Sequence, residues 1–202
     1  MAKIKLTKGE LKRQRDALKR YERYLPTLQL KKQQLQMEIL RQVLLLEEKR
    51  HLEVTKAKSV ESWAGLLAET VVDIKPWLKP KRISTGAKNI AGVDIPIFES
   101  VDFEVAQYDL FIVPLWVDRA LEVLRALVSL RCEIAEIEKG IAILRQELRI
   151  TTQRVNLFEK VKIPEAEESI RLIKIYIGDQ LTNAVGRCKI AKKKIEEAVL
   201  VY

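Results

Sequence analysis

Acid–base chemistry is the first chemistry this sequence could support, because Glu47-Glu48 and Glu167-Glu168 place two carboxylates side by side. Both pairs, however, fall in helical stretches beside Lys and Arg, where ion pairing on a solvated face accounts for them better. His51 is the only histidine, so neither a His-based triad nor a His-rich metal site can be assembled within one chain. Its outer heptad position points to a solvated side chain. Cys132 and Cys188 lack metal-ligand spacing, and Cys132, two positions past Leu130, reads as an exposed or partner-facing thiol without a redox role. Neither a GxxxxGK[ST] phosphate loop nor a GxGxxG fingerprint occurs. Lys12, Arg13, Arg15, Lys19, Arg20 and Arg23 form a basic strip able to neutralise phosphates. Tyr21 and Tyr24 are its only interleaved aromatics, and Tyr21 belongs to an apolar row, so a solvated helix face is the better reading. The expectation is a protein with no catalytic residue, cofactor or metal.

The elements behind these residues are two helical arms. In the second, from about Pro114 to the chain end, Leu127, Ile134, Ile141, Leu148 and Val155 recur every seven residues. Leu130, Ile137, Leu144, Thr151 and Phe158 follow three residues on, the 3–4 seam of a coiled coil. The first arm, 1–72, opens with a capping-box spacing at Thr7 and Glu10. Leu11, Leu18 and Leu25 form one row there, and Tyr21, Leu28 and Leu35 the other. Ile39, Val43 and Leu46 then shift the phase as a stutter does, before Ala57, Val60, Ala64, Leu67 and Val71 resume it. Around the stutter, Met37, Leu40, Leu44 and Leu45 widen the apolar surface beyond a two-helix seam, which predicts a partner-subunit dock.

The connector, 73–113, carries Pro76 and Pro80, expected to end the first arm. Val93, Ile95 and Ile97, then Val101, Phe103 and Val105, alternate with polar residues on either side of Glu99-Ser100. That pattern predicts a β-hairpin turning there, with Pro96 at an edge position. The second arm, 114–202, is interrupted at Ile163-Pro164, resumes through Ile170, Ile173 and Ile177, and ends basic at Lys189, Lys192, Lys193 and Lys194. Antiparallel pairing with Val71 opposite Trp116 would set Leu46 against Ile141, Leu28 near Glu159 and Pro26 near Pro164, where both helices should bend. The fold class is therefore all-α, a long antiparallel two-helix coiled coil forming one structural domain with a short hairpin-bearing connector.

Composition agrees with paired helices: 32% of the 202 residues are charged and only 6% aromatic, unlike a sandwich or barrel. The net charge of +9 favours acidic partners, whether nucleic acid, an anionic membrane or an acidic protein cavity. Met1 to Arg20 is charge-dense rather than apolar, so no signal peptide is expected. No stretch approaches the ~18 uncharged apolar residues of a membrane span.

Ile4-Lys5-Leu6-Thr7-Lys8, Leu28-Gln29-Leu30-Lys31-Lys32 and the connector run from Asn89 to Pro96 resemble the D subunits of the V/A-type ATPases. So does Arg154-Val155-Asn156-Leu157-Phe158-Glu159-Lys160 through Ile163-Pro164, where that family carries R-V-N-A-L-E and then I-P; Leu157-Phe158 departs from it. The resemblance covers nearly the whole chain in order, and no single piece is specific. It implies a central rotor shaft whose paired termini enter a catalytic hexamer of A and B subunits. The small F subunit would pack alongside, and the connector would point toward a membrane-rotor adaptor subunit. Such a chain carries rotation between ATP chemistry and proton or sodium transport, peripheral on the cytoplasmic side, neither a homo-oligomer nor a direct nucleic-acid binder. The F-type γ shaft is a competitor, but its insert is a full α/β domain and this connector is too short for one. A basic coiled-coil scaffold or nucleic-acid-binding protein, and a peripheral membrane adaptor, are the other readings of the same charges.

Overall fold

The computed structural model describes residues 5–68, 74–108 and 113–199. Contacts divide the chain into two compact units, Met1–Leu30 with Thr151–Tyr202, and Lys31–Ile150. Helix α1 runs Lys8–Glu61, followed by a 3-10 turn, Ala64–Ala68, and a short α2, Lys75–Leu78. Strands β1, Pro80–Ile90, and β2, Val93–Phe103, form an antiparallel hairpin. Helix α3, Trp116–Leu157, leads through a π turn, Phe158–Lys162, into α4, Ile163–Val199. The fold class is the one expected: long N- and C-terminal helices with a two-stranded hairpin in the connector.

Helix α1 starts where its cap permits. The Glu10 amide donates to Thr7 Oγ1 at 3.3 Å, satisfying one of the first-turn N–H groups. The reciprocal half of the capping box is missing, since the Glu10 carboxylate accepts instead from Gln14 Nε2 at 2.8 Å. Pro26 sits inside α1 without ending it. The helix stops at Glu61, short of the arm end expected at Val72. Ser59 and Ser62 turn their hydroxyls back onto the carbonyls of Lys56 and Ser59, competing with the helical ladder just before it gives way. Val71 and Val72 lie outside the described residues. Pro76 and Pro80 do not end α1: Pro76 occupies the first turn of α2, where a missing N–H is harmless, and Pro80 begins β1.

In the unit Lys31–Ile150, α1 and α3 run antiparallel. Lys31 Nζ meets Glu147 at 3.1 Å, Lys49 meets Glu133 at 2.7 Å, and Arg131 meets Glu53 at 2.7 Å. Between these rungs Leu35, Leu144 and Ile95 form a buried cluster, with Ile39, Ile90, Ala91, Val93 and Leu148 packed round it. The hairpin thus packs on its own helices. Ile39, the first residue of the stutter, is covered there from within the chain. Gly140 lies beneath this contact, where an added Cβ would sit 3.8 Å from Ile95 Cβ.

The hairpin turns at Ala91-Gly92, not at Glu99-Ser100. Ile90 pairs with Val93, and Ala91 (φ 52°) and Gly92 (φ 78°) both take the left-handed conformation of a two-residue type I′ connection. Asn89 fixes the turn: its Oδ1 accepts from the Gly92 amide at 3.1 Å and its Nδ2 donates to Asp94 at 2.7 Å. Ser84 pairs with Ser100 and Thr85 with Phe98, so Glu99 is the extra residue of a bulge. A bulge and a turn both interrupt alternation with polar residues, which is why the sequence pattern misplaced the turn. Strand β1 went unread because Ile83, Ala87 and Ile90 are its only apolar residues after Pro80.

In the other unit, Tyr21 packs on Phe158 with ring centroids 5.2 Å apart. The expected register placed Leu28, two turns further along α1, at this level, so Pro26 and Pro164 do not face each other as anticipated. The irregularity falls on one helix alone: α1 is helical through Pro26, whereas the second arm widens into the π turn beside Pro164.

Candidate interaction surfaces

The apolar rows read from the sequence occupy a graded environment. Leu35, Leu127, Leu130, Ile134, Ile141, Leu144 and Val155 are buried. Leu11, Leu18, Leu25, Leu28, Ile137 and Leu148 are half-buried. The residues read as a dock are open: Met37 is 70% exposed, Leu40 62%, Leu44 67% and Leu45 36%. They do not share one groove. Met37 and Leu40 line a depression with Ile39 and Leu148, while Leu44 and Leu45 face the hairpin across a second one with Ile97, Phe98 and Ile137. Arg41 and Lys88 line the second groove together with Glu38, Glu48 and Glu133.

A further cluster closes the connector, and sequence reasoning missed it. Ile74, Val117 and Leu121 are buried beneath Trp77, Leu78, Tyr108 and Trp116. Arg125 on α3 ties three segments together: Nε donates to Trp77 O at 3.2 Å, Nη2 donates to Glu104 O at 2.6 Å, and the guanidinium lies 5.4 Å over the Phe103 ring. Its partners are two backbone carbonyls and a ring, none of which leaves a charge pattern in sequence. Leu115 and Val105, 93% and 79% exposed, stand beside this cluster uncovered.

Tyr108 donates its hydroxyl to the Asp118 carboxylate and packs against Trp77, with the rings tilted by 41° and their centroids 5.2 Å apart. The hydrogen bond to Asp118, then burial and the nearby negative charge, hold the phenol proton above its ordinary value of 10.0. A raised folded-state value means that this group's stabilisation is fully present below the unfolded value and is lost as pH rises through the folded one. In an alkaline titration followed by phenolate absorbance, the Tyr108 transition is expected above that of an ordinary tyrosine. In Tyr108→Phe the high-pH decline in melting temperature should be shallower; an identical decline would remove this group from the account.

The residues with chemical potential sit in ordinary surface roles. Glu168 accepts from Arg171 Nε at 2.8 Å and Nη2 at 2.6 Å, and that bidentate bond holds its carboxyl below the usual range. His51 is exposed. Cys132 is half-buried rather than exposed, and burial, with Glu136 nearby, pushes its thiol up, away from the reactive thiolate. The basic strip is solvated at Lys12, Arg13, Arg15, Lys19, Arg20 and Arg23. Among the described residues, no group of three or more His, Cys, Asp or Glu is placed to hold a metal ion. No described helix is long and apolar enough to cross a membrane. On α4, every residue from Gly178 to Glu197 is exposed, including Leu181, Val185, Ile190 and Ile195.

Long antiparallel helices with a two-stranded hairpin in the connector define the class as an all-α protein of the paired-helix type. Comparison with known proteins makes that class specific. The model of the ATP synthase D-subunit family matches residues 10–193. The V-type ATP synthase D subunit of Borreliella burgdorferi is 47% identical, over 96% of this chain and 96% of that protein. Those of Chlamydia abortus and Chlamydia pneumoniae are each 35% identical, covering 97% and 96% of this chain and 95% and 93% of theirs. The chain belongs to the ATP synthase D-subunit family. It is a central-stalk subunit of a V/A-type ATPase, one part of a multi-subunit complex and not itself catalytic.

Proposed function

We propose that this chain is the rotor shaft that carries rotation between a catalytic hexamer of A and B subunits and a membrane ring translocating protons or sodium. The observation that carries the reading is the uncovered stretch of α4 from Gly178 to Glu197, helical yet exposed throughout. A helix with Leu181, Val185, Ile190 and Ile195 all more than half exposed gains by entering a protein cavity, where apolar burial contributes roughly 25 cal/mol per Å². Lys189, Lys192, Lys193 and Lys194 on the same stretch suit an acidic lining. Leu115 and Val105, beside the Arg125 cluster, are the surface for a membrane-rotor adaptor subunit. Met37, Leu40, Leu44 and Leu45 are the dock for the F subunit. In this reading the chain is peripheral, on the cytoplasmic side of the membrane.

Two measurements test it. Native mass spectrometry of the tagged protein purified gently from its own cell membranes should find one copy with the small F subunit and a threefold set of two ATPase chains. A monomer or homodimer carrying nucleic acid would instead favour the basic scaffold. For the dock, Leu44→Asp introduces a charge at an open apolar position and should reduce co-purification of the F subunit by tenfold or more, since ~1.4 kcal/mol is a factor of ten. Undiminished co-purification would move the dock elsewhere.

A further inference from the structure

The π turn at Phe158–Lys162 breaks the phase of the second arm's buried row. Before it, Thr151 and Val155 are 1% and 4% exposed and Phe158 is half-buried, so an unbroken heptad would next bury residues 162, 165, 169, 172 and 176. The structure buries the row one residue later. Ala166 is 3% exposed, Ile170 8% and Ile173 0%, and Ile163 and Ile177 are half-buried. Glu165 is exposed, Leu172 is 41% exposed and Tyr176 39%. Ser169, the one unshifted position still buried, turns its hydroxyl onto Glu165 O at 2.6 Å. One surplus residue has been taken up within the turn, where the Ile163 amide reaches back five residues to Phe158 O.

We infer that Phe158–Lys162 is a register-resetting element, built to absorb this surplus residue and so to decide which apolar row of α4 is buried and which faces outward. Without it, α4 would be turned by about 100°, Ile173 would leave the buried row, and Leu172 and Tyr176 would enter it. With it, Leu172, Ile175 and Tyr176 stand outward together as an apolar strip, Ile175 being 51% exposed. Pro164 is not a sufficient cause, because Pro26 is carried within α1 with no such turn. The inference is independent of the rotor reading, since it concerns only the packing of this chain.

The test is a one-residue deletion in the full-length chain, a change that ordinarily misplaces every later side chain of a packed helix. Deleting Val161 together with Pro164→Ala, in a Cys132→Ala, Cys188→Ser background, removes the surplus and lets the heptad run straight through. Single cysteines at Ile173 or Leu172 report the register. In the parent, Ile173→Cys should react with maleimide roughly tenfold or more slowly than Leu172→Cys, because a buried site reacts only through local opening. The deletion should leave that ratio and the melting temperature essentially unchanged, and Pro164→Ala alone should leave both unchanged as well. A deletion that makes Ile173→Cys the faster site, or that lowers melting sharply, overturns the inference. So does Pro164→Ala alone inverting the ratio, which would make the turn a consequence of the proline.

Discussion

Replacing Ile137 with proline is expected to break α3 and uncouple the complex while the catalytic chains keep their sites. Ile137 lies well inside the helix, four residues after Glu133 and three before Gly140. Proline there removes the N–H that bonds to the Glu133 carbonyl, and its ring clashes with the same carbonyl, at about 3 kcal/mol or more. The damage falls beside the Lys49–Glu133 rung and the groove lined by Leu44, Leu45 and Ile97. The Lys49–Glu133 pair is only half-buried, and an ion pair still open to water contributes too little to hold the segment once the helix is interrupted. Circular dichroism should show lost helicity and a lower melting temperature. Membranes carrying the variant should retain ATP hydrolysis but lose ATP-driven ion transport. Fully coupled transport with a proline-broken α3 would mean that this helix transmits no load. Pro26 supplies the internal contrast: α1 accommodates a proline at an exposed position, so the expected effect depends on where the proline falls.

The second large effect is expected from Ile95→Ala. Ile95 is 4% exposed and is the hairpin's contribution to the cluster with Leu35 and Leu144. An isolated two-stranded hairpin is marginal in water, so these strands depend on what they pack against. Truncating a buried isoleucine costs about 2–5 kcal/mol in transfer and cavity terms. Here the loss is concentrated on an element with little stability of its own. Hydrogen exchange should show amides of Pro80–Ile90 and Val93–Phe103 losing most of their protection, while α1 and α3 near Lys31 and Glu147 keep theirs. Equal loss of protection in helices and strands would mean that the hairpin and helix pair open as one unit.

The sequence alone was enough for the kind of fold and for the absence of recognisable enzyme motifs, because both rest on local information. A seven-residue apolar repeat reflects helix geometry, so rows such as Leu127 to Val155 can be read without knowing what lies opposite them. The helix start at Thr7 was legible for the same reason: a cap is made by residues three apart in the chain. The short connector told against an inserted α/β domain, and the scattered motifs in order pointed to the family to which the chain belongs.

Only the tertiary structure decided the rest, because it depends on which distant residues meet. The register of the two arms shows only where particular side chains meet, Leu35 with Leu144 in one unit and Tyr21 with Phe158 in the other, and a repeating pattern permits several such alignments. The hairpin's true turn was hidden because a bulge at Glu99 imitates one and β1 has almost no apolar alternation of its own. Arg125 holds carbonyl oxygens, which every residue possesses and no sequence advertises. The resumed row Ile170, Ile173 and Ile177 was legible in the sequence, but the π turn that carries the one-residue shift was not, because it is a backbone bond from the Ile163 amide to Phe158 O that no side-chain pattern marks.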